Sequence, residues 1–353
     1  NRVMTFMMPL MMFIMYGVSI LIVWVSTDKI NTGTIQVGTM TAFITYSMQI
    51  VMAFLMITMF SVMLPRASVS AERIDEVLNT KVSIEDKPDT KANSVANGEV
   101  AFEHVSFAYP GAKENVLEDI SFVAKTGQTT AIIGGTGSGK TTLVNLIPRF
   151  FDVTKGKVMV DGTDIREMSQ ESLREAIGYV PQKGVLFSGT IASNLRYGKE
   201  DATKEQVMDA ARIAQAKEII DGKKDGLDSA IAQGGSNVSG GQKQRFSIAR
   251  AIVKDPKIYI FDDSFSALDY KTDAILRREL SKKTKEAAVI IVAQRISTIL
   301  HAEQIIVLDE GKVAGIGTHQ ELFDHCAVYR EIAESQLSEA DIAKLKAQGK
   351  EVM

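Results

Sequence analysis

Two long uncharged runs, Val3 to Val25 and Met40 to Leu64, open the chain and set it apart from everything that follows. At 23 and 25 residues, each is long enough to cross a bilayer as a helix. Neither shows the charged face expected of a long helix in a soluble core. Two membrane-spanning helices at 3–25 and 40–64 are therefore expected, joined by a loop whose only charges are Asp28 and Lys29. After Leu64 and Pro65 the sequence turns polar, and Ala67 to Leu78 reads as a helical continuation carrying Glu72, Arg73, Asp75 and Glu76, a stalk leaving the membrane. The segment 79–98 is rich in Lys, Asp, Asn and Ser, contains Pro88 and lacks apolar periodicity, which marks a linker. From Val100 on, short β-branched and aromatic runs alternate with helical stretches: Val100 to Tyr109, Thr129 to Ile133, Lys257 to Phe261, Ala288 to Val292 and Gln304 to Leu308. That alternation predicts an α/β domain over 99–336 built on a buried, largely parallel sheet. The residues 337–353 read as a polar, frayed tail.

The average composition, 45% hydrophobic and 24% charged over 353 residues, hides this division. Twelve of the sixteen Met fall in the first 65 residues. Arg2, Arg66 and Arg73 flank the apolar pair on one side, so the positive-inside rule places both its ends in the cytoplasm and its loop outside. Two long runs with no small-residue cleavage pattern between them argue against a signal peptide. Asn1 stands almost inside the first run, and the chain reads as a piece of a longer membrane protein. The single Cys326 excludes an internal disulfide and suits a reducing compartment. A net charge of -3 gives no footprint for nucleic acid, and no nucleic-acid partner is expected.

The strongest chemical signal is Gly134-Gly135-Thr136-Gly137-Ser138-Gly139-Lys140-Thr141-Thr142, which follows the strand run Thr129 to Ile133 and opens a helical run. In that context it is a P-loop. Glycines let backbone N–H groups close around phosphates, Lys140 can reach the β- and γ-phosphates of ATP, and the Thr141 hydroxyl can hold Mg²⁺. The apolar strand run Lys257 to Phe261 ends in Asp262, a carboxylate placed to join the Mg²⁺ shell. Between them lies Asn237-Val-Ser239-Gly240-Gly241-Gln242, a Ser and two Gly at a helix start, where N–H and hydroxyl donors can face an anion.

Together these elements resemble the ABC ATPases, with Ser239, Gly240, Gly241 and Gln242 matching their signature sequence. Tyr109 then looks like the aromatic that stacks on adenine, with a core aromatic as the alternative. Gln182, in Tyr179-Val-Pro-Gln182, looks like the glutamine that touches Mg²⁺ and couples to the membrane part, and Ser266-Ala-Leu-Asp269 resembles the loop that crosses between paired ATPase domains. Gly38 to Phe43 and Ala71 to Ile74 resemble the last membrane segments and stalk of exporters that fuse six helices to one ATPase domain, which implies four further helices upstream. The fold implied is an α/β P-loop ABC-type ATPase domain preceded by an all-α transmembrane helix pair, in a bacterial cell membrane with the ATPase domain in the cytoplasm.

Two positions depart from the family's pattern. Asp263 stands where these ATPases usually place a catalytic Glu, and Gln294 stands where they usually place a switch His. Both bear on the γ-phosphate, so an altered, slowly hydrolysing site is expected. In the resembled family each ATP lies between one P-loop and the partner's signature. The pattern here resembles the degenerate-site half of a heterodimeric multidrug-type exporter, whose intact signature serves a second ABC half-transporter. A non-hydrolysing ATP-dependent regulator and a homodimeric exporter of lipid or peptide are the alternatives. Met48, Met52, Met56, Met59 and Met63 share one face of the second helix, either as a cavity for small apolar or amphipathic substrates or as packing and lipid-facing positions.

Overall fold

The computed structural model describes residues 2–88 and 94–336. The chain divides into two compact units between Ser83 and Ile84. The expected tail over 337–353 lies outside the described residues.

The first unit is a pair of helices, α1 (Arg2–Asn31) and α2 (Val37–Leu78), packed on each other across a tight turn. Both are long and apolar enough to cross a membrane. Their large apolar side chains face outward, with Phe13 and Trp24 77% exposed and Phe60 68%, a surface suited to lipid or to further helices rather than to water. The hydroxyls of Ser19, Thr27, Thr41, Thr45, Ser47, Thr58 and Ser61 donate to the carbonyl four residues back at 2.7–3.1 Å, so each is satisfied within its own helix. One sequence expectation changes here. Asp28 and Lys29 belong to the last turns of α1, not to the loop, because no breaker stands between Val25 and Asn31. The helical continuation past Pro65 is present: α2 runs 42 residues from the apolar run into the stalk, with Pro65 inside it.

The second unit runs, in chain order, β1 (Val100–Phe107), β2 (Leu117–Ala124), β3 (Thr129–Gly134), α3 (Lys140–Leu146), β4 (Lys155–Val160), β5 (Thr163–Asp164), α4 (Gln170–Glu175) and β6 (Ile177–Val180). A helical stretch follows: β7 (Gly189–Thr190), α5 (Ile191–Arg196), α6 (Lys204–Ile213), α7 (Lys217–Asp221), β8 (Ala230–Ile231) and α8 (Gly240–Lys254). The chain then returns to the sheet with β9 (Ile258–Asp262), α9 (Tyr270–Lys283), β10 (Ala288–Val292), α10 (Ile296–Ile299), β11 (Gln304–Asp309), β12 (Lys312–Gly317), α11 (His319–His325) and α12 (Ala327–Gln336).

The main sheet has the order β12-β11-β3-β10-β9-β6, parallel throughout except for the antiparallel edge strand β12. Its central strands are buried on both faces. Ile132, Ile260, Ile290 and Val292 pack into one apolar cluster, while Ala131, Ile133, Phe261 and Ile291 pack into the other. That is why these strands read as continuous apolar runs. A second, antiparallel sheet, β2-β1-β4-β5, was not expected from the sequence. Register shifts along β1, with His104 at φ 48° and Asp119 at φ 54°, break its in-out alternation.

The linker is tied down at both described ends. The Asp161 carboxylate accepts the backbone N–H groups of Ala96, Asn97, Gly98 and Glu99 at 2.8–2.9 Å. Asp86 accepts from the Gln170 N–H and faces the buried Arg149 guanidinium at 3.5 Å.

Candidate functional site

Parallel strands bring their C-terminal ends to one edge, and four of the main sheet's strands deliver chemistry there. β3 runs into the Gly-rich loop, β6 is followed by Gln182, β9 ends in Asp262, and β10 leads through Ala293 to Gln294. Register holds them level: Val292 pairs with both Ile132 and Asp262, and Val180 with Phe261. An open cleft of about 300 Å³ results, lined by Thr136, Gly137, Gly139, Lys140, Thr141, Thr142, Gln182, Asp262, Asp263 and Gln294.

Two glycines explain the loop's path. A Cβ on Gly134 would lie 2.1 Å from the Leu308 carbonyl oxygen, so β3 and β11 approach too closely for any side chain. Gly139 caps α3 at φ 95°, and a Cβ there would also meet Leu117 Cδ2 at 2.7 Å. The Lys140 ammonium donates to the carbonyls of Gly134 at 2.9 Å and Gly135 at 2.6 Å. Burial holds its pKa below the ordinary lysine value, with Asp263 and Asp262 pulling the other way.

Below the loop, the Thr141 hydroxyl donates to Asp262 Oδ1 at 3.0 Å. Asp262 is 2% exposed, and burial raises its pKa; the Thr141 bond opposes this and the Asp263 charge adds to it. Burial likewise pushes up the Tyr179 phenol, with Asp262 adding to the rise. A carboxylate stripped of water beside a hydroxyl is a hard-oxygen pair that fits Mg²⁺, whose charge would offset the burial. Among the described residues no group of three or more His, Cys, Asp or Glu could hold a metal alone. Thr141, Asp262 and Gln182 therefore fit an ion that shares its remaining positions with phosphate and water.

Asp263 is 7% exposed and sits at φ 46°, its N–H donating to the Val292 carbonyl at 3.0 Å. Its Oδ2 accepts two side-chain amides, Gln182 Nε2 at 3.1 Å and Gln294 Nε2 at 2.8 Å. The two sequence departures thus touch each other, and Gln182 joins them. Ser266, in the loop after β9, donates its hydroxyl to the Asp263 carbonyl at 2.8 Å.

Tyr109 stands beyond the end of β1, its ring edge-on to Phe107 and Phe151 and its hydroxyl 2.9 Å from the Thr142 hydroxyl. Stacking on adenine and a place among the core aromatics are both compatible with this position. Ser239, Gly240, Gly241 and Gln242 are not brought into the cleft. Ser239 caps α8, its Oγ accepting the Gln242 N–H at 3.3 Å while Gln242 Oε1 accepts the Ser239 N–H at 3.1 Å. Ser239 and Gly240 are exposed.

Residues 117–266 match the family model for ABC transporters. The α/β unit is an ABC transporter ATP-binding domain. Similarity continues into the apolar helices. An uncharacterized ABC transporter ATP-binding protein of Mycobacterium tuberculosis is 47% identical over 341 residues, 95% of this chain and 58% of that protein. An ATP-dependent lipid A-core flippase of Desulfotalea psychrophila is 37% identical over 301 residues, 85% of this chain and 52% of that protein. The solved structure of a bacterial Atm1-family ABC exporter with ATP bound superposes with a TM-score of 0.74 at 33% identity, covering 87% of this chain and 54% of that one. The chain thus spans between 52% and 58% of the length of these relatives. It combines two membrane-crossing helices with an ABC ATP-binding domain, which places it in the cell membrane with that domain on the cytoplasmic side.

The sequence had no signal for Tyr179 as a neighbour of Asp262, since its phenol reaches the site from the middle of β6. Nor did it single out Gln336, whose contacts are described below.

Proposed function

We propose that the chain is the ATP-binding, membrane-spanning subunit of an ABC exporter. In this reading its own nucleotide site binds ATP but hydrolyses it slowly, and its signature completes a faster site in a second half-transporter. The carrying observation is the clamp on Asp263. A carboxylate that is to orient an attacking water must turn an oxygen toward it, and one of the two Asp263 oxygens, Oδ2, is held by the Gln182 and Gln294 amides, which fix the direction the group faces.

The chain's own residues then act as follows. The loop N–H groups and Lys140 hold the β- and γ-phosphates, with Tyr109 at the adenine end. Thr141, Asp262 and Gln182 would hold Mg²⁺, which supplies charge neutralisation between the phosphates. Asp263 is one methylene shorter than Glu and engaged, so water is poorly placed. Gln294 can donate a hydrogen bond toward the γ-phosphate but cannot carry the positive charge of an imidazolium. ATP binding draws the two domains together, and hydrolysis at the partner's P-loop resets them. The apolar helices and the similarity to lipid A-core flippases support a small apolar or amphipathic cargo.

The test is a crossed comparison in the reconstituted pair. Ser239→Ala with Gly240→Asp is expected to lower steady-state ATPase activity far more than Asp263→Asn does, because the first change damages the competent site and the second a slow one. A Cβ at Gly240 meets nothing within 4 Å, so there is room for a side chain there, and the melting temperature of the variant controls for the lost Ser239 cap. If Asp263→Asn is the more damaging, hydrolysis occurs at this chain's own site and the assignment is wrong.

A further inference from the structure

The loop carrying Gln294 is held from an unexpected direction. Gln336, at the end of α12, donates from Nε2 to the Gln294 carbonyl at 2.9 Å and accepts the Ile296 N–H on Oε1, also at 2.9 Å. One side chain therefore binds the backbone on both sides of Arg295. Arg295 itself donates to the Ser266 carbonyl at 3.4 Å and accepts the Thr298 N–H at 3.1 Å; beyond the pair, the Ala293 N–H donates to the Ile132 carbonyl at 3.0 Å and the Thr298 carbonyl accepts from Arg277 at 3.0 Å.

α12 is a firm base for this contact. Tyr329 and Ala333 are fully buried, and Gln336, itself exposed, follows them at helical spacing. The Tyr329 hydroxyl meets His319 Nδ1 at 2.6 Å, and Arg330 Nε donates to the Phe323 carbonyl at 2.8 Å, fixing α12 against α11. From this base, Gln336 sets where the Gln294 side chain begins, and so whether its amide reaches Asp263 Oδ2.

We propose that Gln336 is a positioning residue for the nucleotide site, holding the Gln294 loop in register so that the Gln294 amide lies against Asp263. This rests on the assignment of Asp263 and Gln294 to the γ-phosphate end of the site. Gln336 touches neither nucleotide nor Asp263 itself, and acts through Gln294. α12 thereby becomes part of the nucleotide site.

The experiment uses the full-length protein with its partner half-transporter in lipid nanodiscs. Photolabelling of this chain by 8-azido-ATP gives its half-saturation at equilibrium, and amide exchange reports on Ile296. Gln336→Met is expected to speed exchange at Ile296 by about tenfold and to weaken half-saturation by roughly threefold to tenfold. Gln336→Glu keeps the acceptor for the Ile296 N–H but turns a carboxylate toward the Gln294 carbonyl. It should leave exchange near wild type while weakening labelling as Met does. In a Gln294→Ala background, Gln336→Met should change labelling by less than about twofold, since its route is already cut.

Equal weakening in both backgrounds, unchanged labelling in Gln336→Met, or wild-type labelling in Gln336→Glu each overturns the proposal. Labelling at equilibrium needs no turnover. A fast site in this chain would sink the slow-site reading and leave this result standing.

Discussion

Asp263→Glu combined with Gln294→His is expected to raise hydrolysis at this chain's own site. An Asp carboxylate falls roughly 1 Å short of a Glu carboxylate in the same place, and misplacement of about that size costs on the order of a hundredfold in rate. At about 1.36 kcal/mol per decade this is about 2.7 kcal/mol of barrier. The structure supplies the competing term. Oδ2 of Asp263 holds Gln182 at 3.1 Å and Gln294 at 2.8 Å, and a hydrogen bond to a charged group contributes about 1.5–3 kcal/mol. Each amide is thus worth about as much as the whole gain in reach.

Asp263→Glu alone restores length but leaves two amides on the carboxylate, so it should gain less than about tenfold. Gln294→His removes one amide and brings an imidazole whose cationic form the adjacent carboxylate favours. The pair should then gain between about tenfold and a hundredfold. The assay is phosphate release from a reconstituted complex whose partner-side hydrolysis has been disabled, with azido-ATP labelling of this chain as the binding control. Turnover that stays at background while labelling is intact would clear Asp263 and Gln294 of blame. The defect would then lie in the signature contributed from across the interface.

Two further outcomes test the site as built. Burial raises the Asp262 pKa above its unfolded value, so the folded chain holds this proton more tightly, and stability falls as pH rises through the window between the two values. Asp262→Asn should therefore raise the melting temperature of the nucleotide-free protein at pH 7, with the gain vanishing below the ordinary carboxylate range; equal gains at both pH values would contradict this. Gly134→Ala places a methyl 2.1 Å from the Leu308 backbone, whereas Gly135→Ala meets nothing within 4 Å. Denaturant titration should show the first destabilised by about 1–3 kcal/mol or more and the second near wild type.

The parts that were legible in the sequence share one property: their signal is local and continuous. Strands β3, β9, β10 and β11 are buried on both faces, so each reads as an unbroken apolar run with nothing to disguise it. The Gly-rich loop between β3 and α3 is legible because its spacing is fixed by backbone geometry within a few residues. The antiparallel sheet was not legible. Its strand β2 buries Leu117, Ile120, Phe122 and Ala124, a pattern that starts with a spacing of three before settling into alternation, because the bulge at Asp119 consumes a residue. The docked linker was illegible for a different reason. A segment of Lys, Asp, Asn and Ser has the same composition whether it is solvated or held, and the decision lies with Asp161, 62–65 residues away.

The same distinction governs the site. That Asp263 and Gln294 depart from the family pattern is visible by position, since each follows a legible strand. That they touch is not, because they stand 31 positions apart with α9 and β10 between them. The contact changes the meaning of both. As independent substitutions, a short carboxylate and an uncharged amide would each weaken one role. Bonded together with Gln182, they form one polar unit on Asp263 Oδ2 in a site where Asp263 is 7% exposed, so a substitution at either residue changes the hydrogen bonds the other makes. Their effects on hydrolysis are therefore coupled, which is why the double substitution, and not either single one, measures what the two residues do.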